Sequence, residues 1–66
     1  MKRLENNLKD YRSLTKKTQM DLYLETEISH TKISWIERGY VMATPSEKEK
    51  IANALGVPVE RVFPNG

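Results

Sequence analysis

The chain is cut into short pieces by its own punctuation. Hydroxyl residues suited to helix starts stand at Thr18, Ser29 and Thr44, glycines suited to helix ends at Gly39 and Gly56, and prolines at Pro45, Pro58 and Pro64. A side-chain oxygen just before a helix accepts a backbone N–H that would otherwise lack a partner, and a glycine just after one takes the left-handed conformation that closes it. Only short helices fit between these marks. Their apolar residues must then be buried by packing several helices on one another, because no run is long and apolar enough to span a bilayer.

Apolar spacing fills in the pieces. Leu4, Leu8 and Tyr11 fall on one stripe of a first helix, which Leu14 or Thr15 extends. A second helix starts at Thr18, where the hydroxyl accepts from the backbone near Asp21 and that carboxylate opposes the positive helix end. Met20, Leu22, Tyr23 and Leu24 are more than one narrow face needs, which leaves its buried side open. Glu27-Ile28-Ser29 interrupts the pattern, and Ser29 caps a third helix with Ile33 and Ile36 on one side, Arg38 at its negative end and Gly39 as its stop. Tyr40 to Ala43 reads as a loop. Thr44-Pro45-Ser46-Glu47 joins a hydroxyl cap, a proline at the first helical position and a glutamate at the third, and Ser46 to Glu49 repeats the spacing two residues on. Ile51, Ala54 and Leu55 form the inward stripe of a fourth helix ended by Gly56. Val59, Val62 and Phe63 repeat that spacing in a short fifth, with Pro58 at its start and Pro64 after its end. The expected fold is an all-α bundle of five helices in a single domain, residues 1–66, without strand-like alternation, internal repeats or low-complexity segments.

Composition narrows the function. A chain of 66 residues with 38% hydrophobic content supports one core, and cores of this size rarely store more than about 3 to 5 kcal/mol. Self-association or a ligand is a ready source of further stability. The absence of cysteine suits a reducing compartment. Met1-Lys2-Arg3 imitates a signal start, but Glu5-Asn6-Asn7 follows where an apolar stretch belongs, so a cytoplasmic protein without membrane association is expected. The net charge of +2 is unevenly spread: residues 1–17 carry six cations against Glu5 and Asp10, and residues 18–27 carry only Asp21, Glu25 and Glu27. Such polarity is compatible with phosphate binding and equally with solvated faces.

Two short helices joined by about three residues, the second hydroxyl-capped and polar on one side, form the general helix-turn-helix pattern. Thr18-Gln19, Leu22, Ile28-Ser29, Ile33-Ser34, Ile36-Glu37-Arg38-Gly39 and Ile51-Ala52-Asn53-Ala54-Leu55-Gly56-Val57 closely resemble the phage-repressor and Cro-like (XRE-type) helix-turn-helix family, from about Leu8 to Phe63. The resemblance implies a compact five-helix, lambda-repressor-like DNA-binding domain, with the helix-turn-helix at about 18–39 and the third helix in the major groove. It also implies that Gln19 bonds a phosphate, that His30, Thr31, Lys32, Ser34 and Trp35 read bases, and that Arg12 pairs with Glu37. Four positions depart from the family pattern: Lys16-Lys17 replaces Gly-Leu, Tyr23 an alanine where two helices approach closely, and Glu27 a glycine. If Glu27 keeps the left-handed turn, it costs roughly 1 kcal/mol relative to glycine.

The residues have the chemistry that this role needs. DNA binding requires cations for phosphate, amides and hydroxyls for register, and side chains that reach base edges. Lys32 and His30 can donate to guanine O6 or N7, and Thr31 can bond a base or touch a thymine methyl. Thr18, Gln19 and Ser29 stand at two helix N-termini, where backbone N–H groups favour anions. Lys17, Arg38 and Tyr40 are further backbone-contact candidates. Against each stands a plainer role as a solvated surface residue. Trp35 lies opposite Ile33 and Ile36 and faces outward, either packing on the Lys32 stem or the 40–43 loop, or meeting a thymine methyl or sugar while its N–H donates to a phosphate. His30 is the only histidine, and with no cysteine a metal site is not expected. Neither is a cofactor or an enzymatic activity, since no nucleophile-base pair or glycine-rich phosphate loop is present. The expected function is a dimeric, sequence-specific transcriptional repressor of bacterial or phage type bound to double-stranded operator DNA. Tyr40 to Met42 and the Val59, Val62 and Phe63 region are candidates for self-association, with core packing as the competing role of Phe63. The alternative is an antitoxin-like module whose main partner is a protein, a toxin.

Overall fold

In the computed structural model, which describes residues 5–64, the chain forms α1 (Leu8–Leu14), α2 (Gln19–Thr26), α3 (His30–Arg38), α4 (Pro45–Leu55) and α5 (Val59–Val62). Three starts are set by hydroxyl caps. Thr18 accepts from the Asp21 N–H while the Asp21 carboxylate accepts from the Thr18 N–H, and Thr44 and Glu47 make the same reciprocal pair. Ser29 accepts from the Lys32 N–H. Helix α4 therefore starts at Pro45, on the first of its two candidate starts.

Four of the helix ends carry a left-handed residue, but only two of these are glycine. Gly39 and Gly56 close α3 and α4, and Lys16 (φ 58°) and Glu27 (φ 62°) follow α1 and α2. After α1, Lys16 N–H reaches the Ser13 carbonyl and Lys17 N–H the Arg12 carbonyl, the paired bonds of a Schellman ending. Glu27 keeps the turn conformation that usually falls to glycine, and Lys16 does the same at a position with no glycine or asparagine to mark a stop.

The core joins all five helices. Leu8, Leu22, Ile33, Ile36, Ile51 and Val62 are fully buried, with Ile28, Ala43, Ala52, Leu55 and Phe63 around them. In α2 the open question resolves to a narrow inward stripe of Leu22 and Thr26, leaving Met20, Tyr23 and Leu24 exposed. Tyr23 thus turns its ring outward. The buried Thr26 hydroxyl donates to the Leu22 carbonyl and accepts from the Ile28 N–H, so it strands no polar group.

Several local expectations are corrected. Leu14 is 74% exposed, and Thr15 is exposed with its hydroxyl donating to the Tyr11 carbonyl, so the inward stripe of α1 stops at Tyr11. Leu4 lies outside the described residues. In α4 the fully buried alanine is Ala52, and Ala54 is only partly covered. Pro58 caps α5 from outside, and Phe63 follows the helix as its C-cap. Phe63 and Val62 are buried, so that end of the chain closes the core, whereas Tyr40 and Met42 remain exposed. Asn7 fastens α1 to α5, its backbone N–H donating to the Val62 carbonyl and its amide to the Arg61 carbonyl. Among the described residues no helix is long and apolar enough to cross a membrane.

The two non-glycine stops predict a gain from substitution. A left-handed non-glycine residue costs about 1 to 2 kcal/mol, against roughly 0.5 to 1 kcal/mol of extra chain entropy that glycine loses on folding. Lys16→Gly and Glu27→Gly should each stabilise by about 0.5 to 1 kcal/mol, raising Tm by a few degrees in a domain this small. An unchanged or lowered Tm in calorimetry would contradict the strain argument.

Candidate nucleic-acid interface

Helix α3 is positioned by its turn, its cap and its buried side. The left-handed Glu27 reverses the chain after α2, Ile28 is buried beneath the turn, and Ser29 then opens α3. Ile33 and Ile36 fix the inward side. His30, Thr31, Trp35 and Arg38 are exposed, and Lys32 and Ser34 are partly exposed beside them. Trp35 is 47% exposed, so its indole faces outward, as the spacing of the two isoleucines requires.

Behind this surface lies a polar knot. Arg12 Nε donates to Glu37 Oε2 at 2.6 Å and Nη2 donates to Oε1 at 3.2 Å, a two-pronged pair between α1 and α3. Glu37 is only 6% exposed and Arg12 18%. The remaining Arg12 amine, Nη1, donates to the Lys17 carbonyl, and Gln19 Nε2 donates to Glu37 Oε1 at 3.2 Å. One glutamate therefore receives α1 and α2 together. No buried side-chain polar atom among the described residues lacks a partner.

The candidate DNA contacts divide by what already holds them. Gln19 is partly covered and spends one amide N–H on Glu37, leaving its second N–H for another acceptor. Lys17 has its ammonium 2.6 Å from Glu25 Oε1 and 2.6 Å from the Ala54 carbonyl, tying the start of α2 to the C-terminal end of α4. A cation there also suits the negative end of the α4 dipole. Lys32 is 39% exposed, with its ammonium 2.8 Å from Glu47 Oε2 at the start of α4. His30, Thr31, Trp35 and Arg38 are the outward members of α3, and Tyr40 is exposed directly beyond it. Thr18 and Ser29 are exposed at the two helix starts, with their hydroxyl oxygens turned back onto the backbone.

Two acidic groups are tuned by these contacts. The Thr18 backbone N–H, helped by the Thr18 hydroxyl and the Lys17 charge, holds the Asp21 carboxyl below its ordinary range. Burial pulls Glu47 upward, but the Lys32 ammonium and the Thr44 cap outweigh it, so this carboxyl also lies low. A carboxyl depressed in the folded state contributes stability that is fully present above its unfolded value and is lost as pH falls through the folded one. Both caps, and the Lys32 tie, are therefore intact at neutral pH.

The composition of α3 did not announce every residue that supports it. Asn6 donates through its amide to the Ile36 carbonyl at 2.7 Å while its own oxygen accepts from the Leu8 N–H, joining the start of α1 to the last turn of α3. Glu47 was legible as a cap, but not as the partner of Lys32. The helix-turn-helix domain family model matches residues 6–62, almost the whole length in which this geometry is built. The chain belongs to the helix-turn-helix family. No curated protein matches it. Helix-turn-helix domains bind DNA through the second of the motif's two helices, and α2 and α3, joined through the Glu27 turn, follow one another as a pair of short helices. Among the described residues no three His, Cys, Asp or Glu side chains gather as a metal-binding group.

The knot behind α3 makes a thermodynamic prediction. Removing one member of a buried ion pair costs about 3 to 5 kcal/mol because it strands the other charge, as much as a core this small supplies. Arg12→Ala and Glu37→Ala should each leave the domain largely unfolded or with a much lowered Tm, and the double variant should lose less than the two single losses added together. Strictly additive losses in thermal melts would show that the two charges are not coupled.

Proposed function

We propose that this helix-turn-helix domain is a sequence-specific DNA-binding transcriptional regulator of the phage-repressor and Cro-like kind, acting as a repressor in the bacterial or phage-infected cytoplasm. The observation that carries the reading is the arrangement of α3: an aliphatic side locked into the core and an outer side of His30, Thr31, Lys32, Ser34 and Trp35. A helix so held fits the major groove, with Thr31 and Lys32 at base edges and Trp35 against a thymine methyl or the backbone. Thr18, Gln19 and Ser29 stand at helix starts suited to phosphates, and Lys17, Arg38 and Tyr40 supply flanking contacts. Two copies on DNA would set their α3 helices about 34 Å apart, one helical turn. The exposed Tyr40 and Met42 loop supports that pairing as its contact surface.

A second reading draws on the exposed apolar side chains of Leu14, Met20 and Leu24. They favour a protein partner, as in an antitoxin held by its toxin. Co-purification with the product of an adjacent reading frame, accompanied by no preferred DNA sequence, is the result that would favour it.

The DNA reading makes a direct demand on mutants. Against a site selected from random duplexes at fixed salt, Thr31→Ala and Trp35→Ala should each weaken binding by about 1 to 3 kcal/mol, roughly five- to 150-fold. Arg61→Ala, on the exposed side of α5, should change it far less, and all three melting temperatures should stay near that of the parent. Equal losses at the three sites would argue against readout by α3. Sedimentation of the complex should give two chains per operator, and a single chain on every selected duplex would remove the dimer from the proposal.

A further inference from the structure

The Lys32 ammonium is not presented to DNA alone. It sits 2.8 Å from Glu47 Oε2, while the other Glu47 oxygen accepts from the Thr44 N–H at 2.9 Å. The carboxylate is thus fixed from two sides, by the α4 cap and by the lysine of α3, and it is only 18% exposed. Lysine is ordinarily a mobile point charge on a flexible stem, and such a charge beside a duplex goes to the nearest phosphate. Pairing changes both properties.

Resting on the placement of α3 in the major groove, we propose that Glu47 is a specificity-determining positioning residue. It holds Lys32 as a neutral, oriented pair, so that the lysine serves base recognition and not phosphate attraction. An ammonium has three donors. Glu47 takes one, and the two that remain match the adjacent O6 and N7 acceptors of guanine. A pair with no net charge adds nothing to the attraction of the duplex and releases no counterion when bound. The stem is also ordered before DNA arrives, which removes part of the entropy lost on binding. The residue that starts α4 thereby governs what a residue of α3 can read.

The test compares wild type, Glu47→Gln and the double variant Lys32→Met/Glu47→Gln on a selected duplex and on a random-sequence duplex across a salt series. Glutamine keeps an oxygen for the Thr44 N–H, so the cap survives. Freed from its carboxylate, Lys32 in Glu47→Gln should engage one more phosphate. The plot of log K against log salt should then steepen by about 0.9, and random-duplex affinity at about 0.1 M salt should rise roughly three- to eightfold. The preference for the selected duplex should fall by a similar factor. Lys32→Met combined with Glu47→Gln, which leaves no charge unpaired, should keep the slope at its wild-type value and lower the preference about fivefold or more. A slope reduced by about 0.9 in that double variant would place the lysine on a phosphate and overturn the inference. So would a Glu47→Gln protein with unchanged slope and preference. A wild-type chain that prefers no sequence overturns the groove reading and this inference together, whereas a clear preference with an indifferent Glu47→Gln overturns this inference alone.

Discussion

A carboxylate placed almost out of water must be answered from all sides, and Glu37 is that carboxylate. Left alone it would be an uncompensated charge out of water, which is costly. Arg12 answers with two N–H groups and Gln19 with a third, and through Nη1 Arg12 also holds the Lys17 carbonyl just before α2 begins. Such a pair adds little net stability over an apolar equivalent of the same shape, since the gain from pairing is largely offset by desolvation. What it does is fix geometry. Fork geometry between guanidinium and carboxylate permits only a narrow range of orientations, so α1, α2 and the last turn of α3 share one register.

That register gives α3 a defined roll about its axis. Ile33 and Ile36 decide which side faces inward, but two isoleucines alone allow some sliding. The Glu37 fork at one end, the Asn6 bond to the Ile36 carbonyl and the Ser29 cap at the other remove it. A helix of nine residues has little stability of its own in water. Its outer side is therefore rigid only because neighbouring elements hold it. Preorganised recognition surfaces lose less entropy on binding, and in this domain much of that rigidity comes from Asn6, Arg12 and Glu37, behind the outer side of α3.

Much of this was legible in the amino-acid order because it rests on local physics. Thr44-Pro45-Ser46-Glu47, Ser29 and Gly39 mark boundaries that the structure reproduces, since caps act within one turn. The outward tryptophan followed from the spacing of Ile33 and Ile36. Long-range pairings were harder to read. Nothing around Lys32 announces Glu47, fifteen positions on, and nothing around Lys17 announces the Ala54 carbonyl. Those contacts exist only once α2, α3 and α4 have packed. The buried side of α2 was open for a related reason, because four apolar residues nearly surround the helix and tertiary packing selected Leu22. Lys16 stayed hidden because a lysine carries no sign of a left-handed conformation. Glu27 was anticipated through family resemblance, which supplied what propensity alone does not.

The central claim is that the outer side of α3 meets base edges. Amide and indole chemical shifts followed by NMR, as a selected duplex is added to isotope-labelled protein, test it most directly. The account predicts the largest changes at His30, Thr31, Lys32 and Ser34 and at the Trp35 indole N–H, with flanking changes at Gln19 and Arg38 and little in α5. Changes concentrated on α4 and α5, with the Trp35 indole unmoved at saturation, would contradict it.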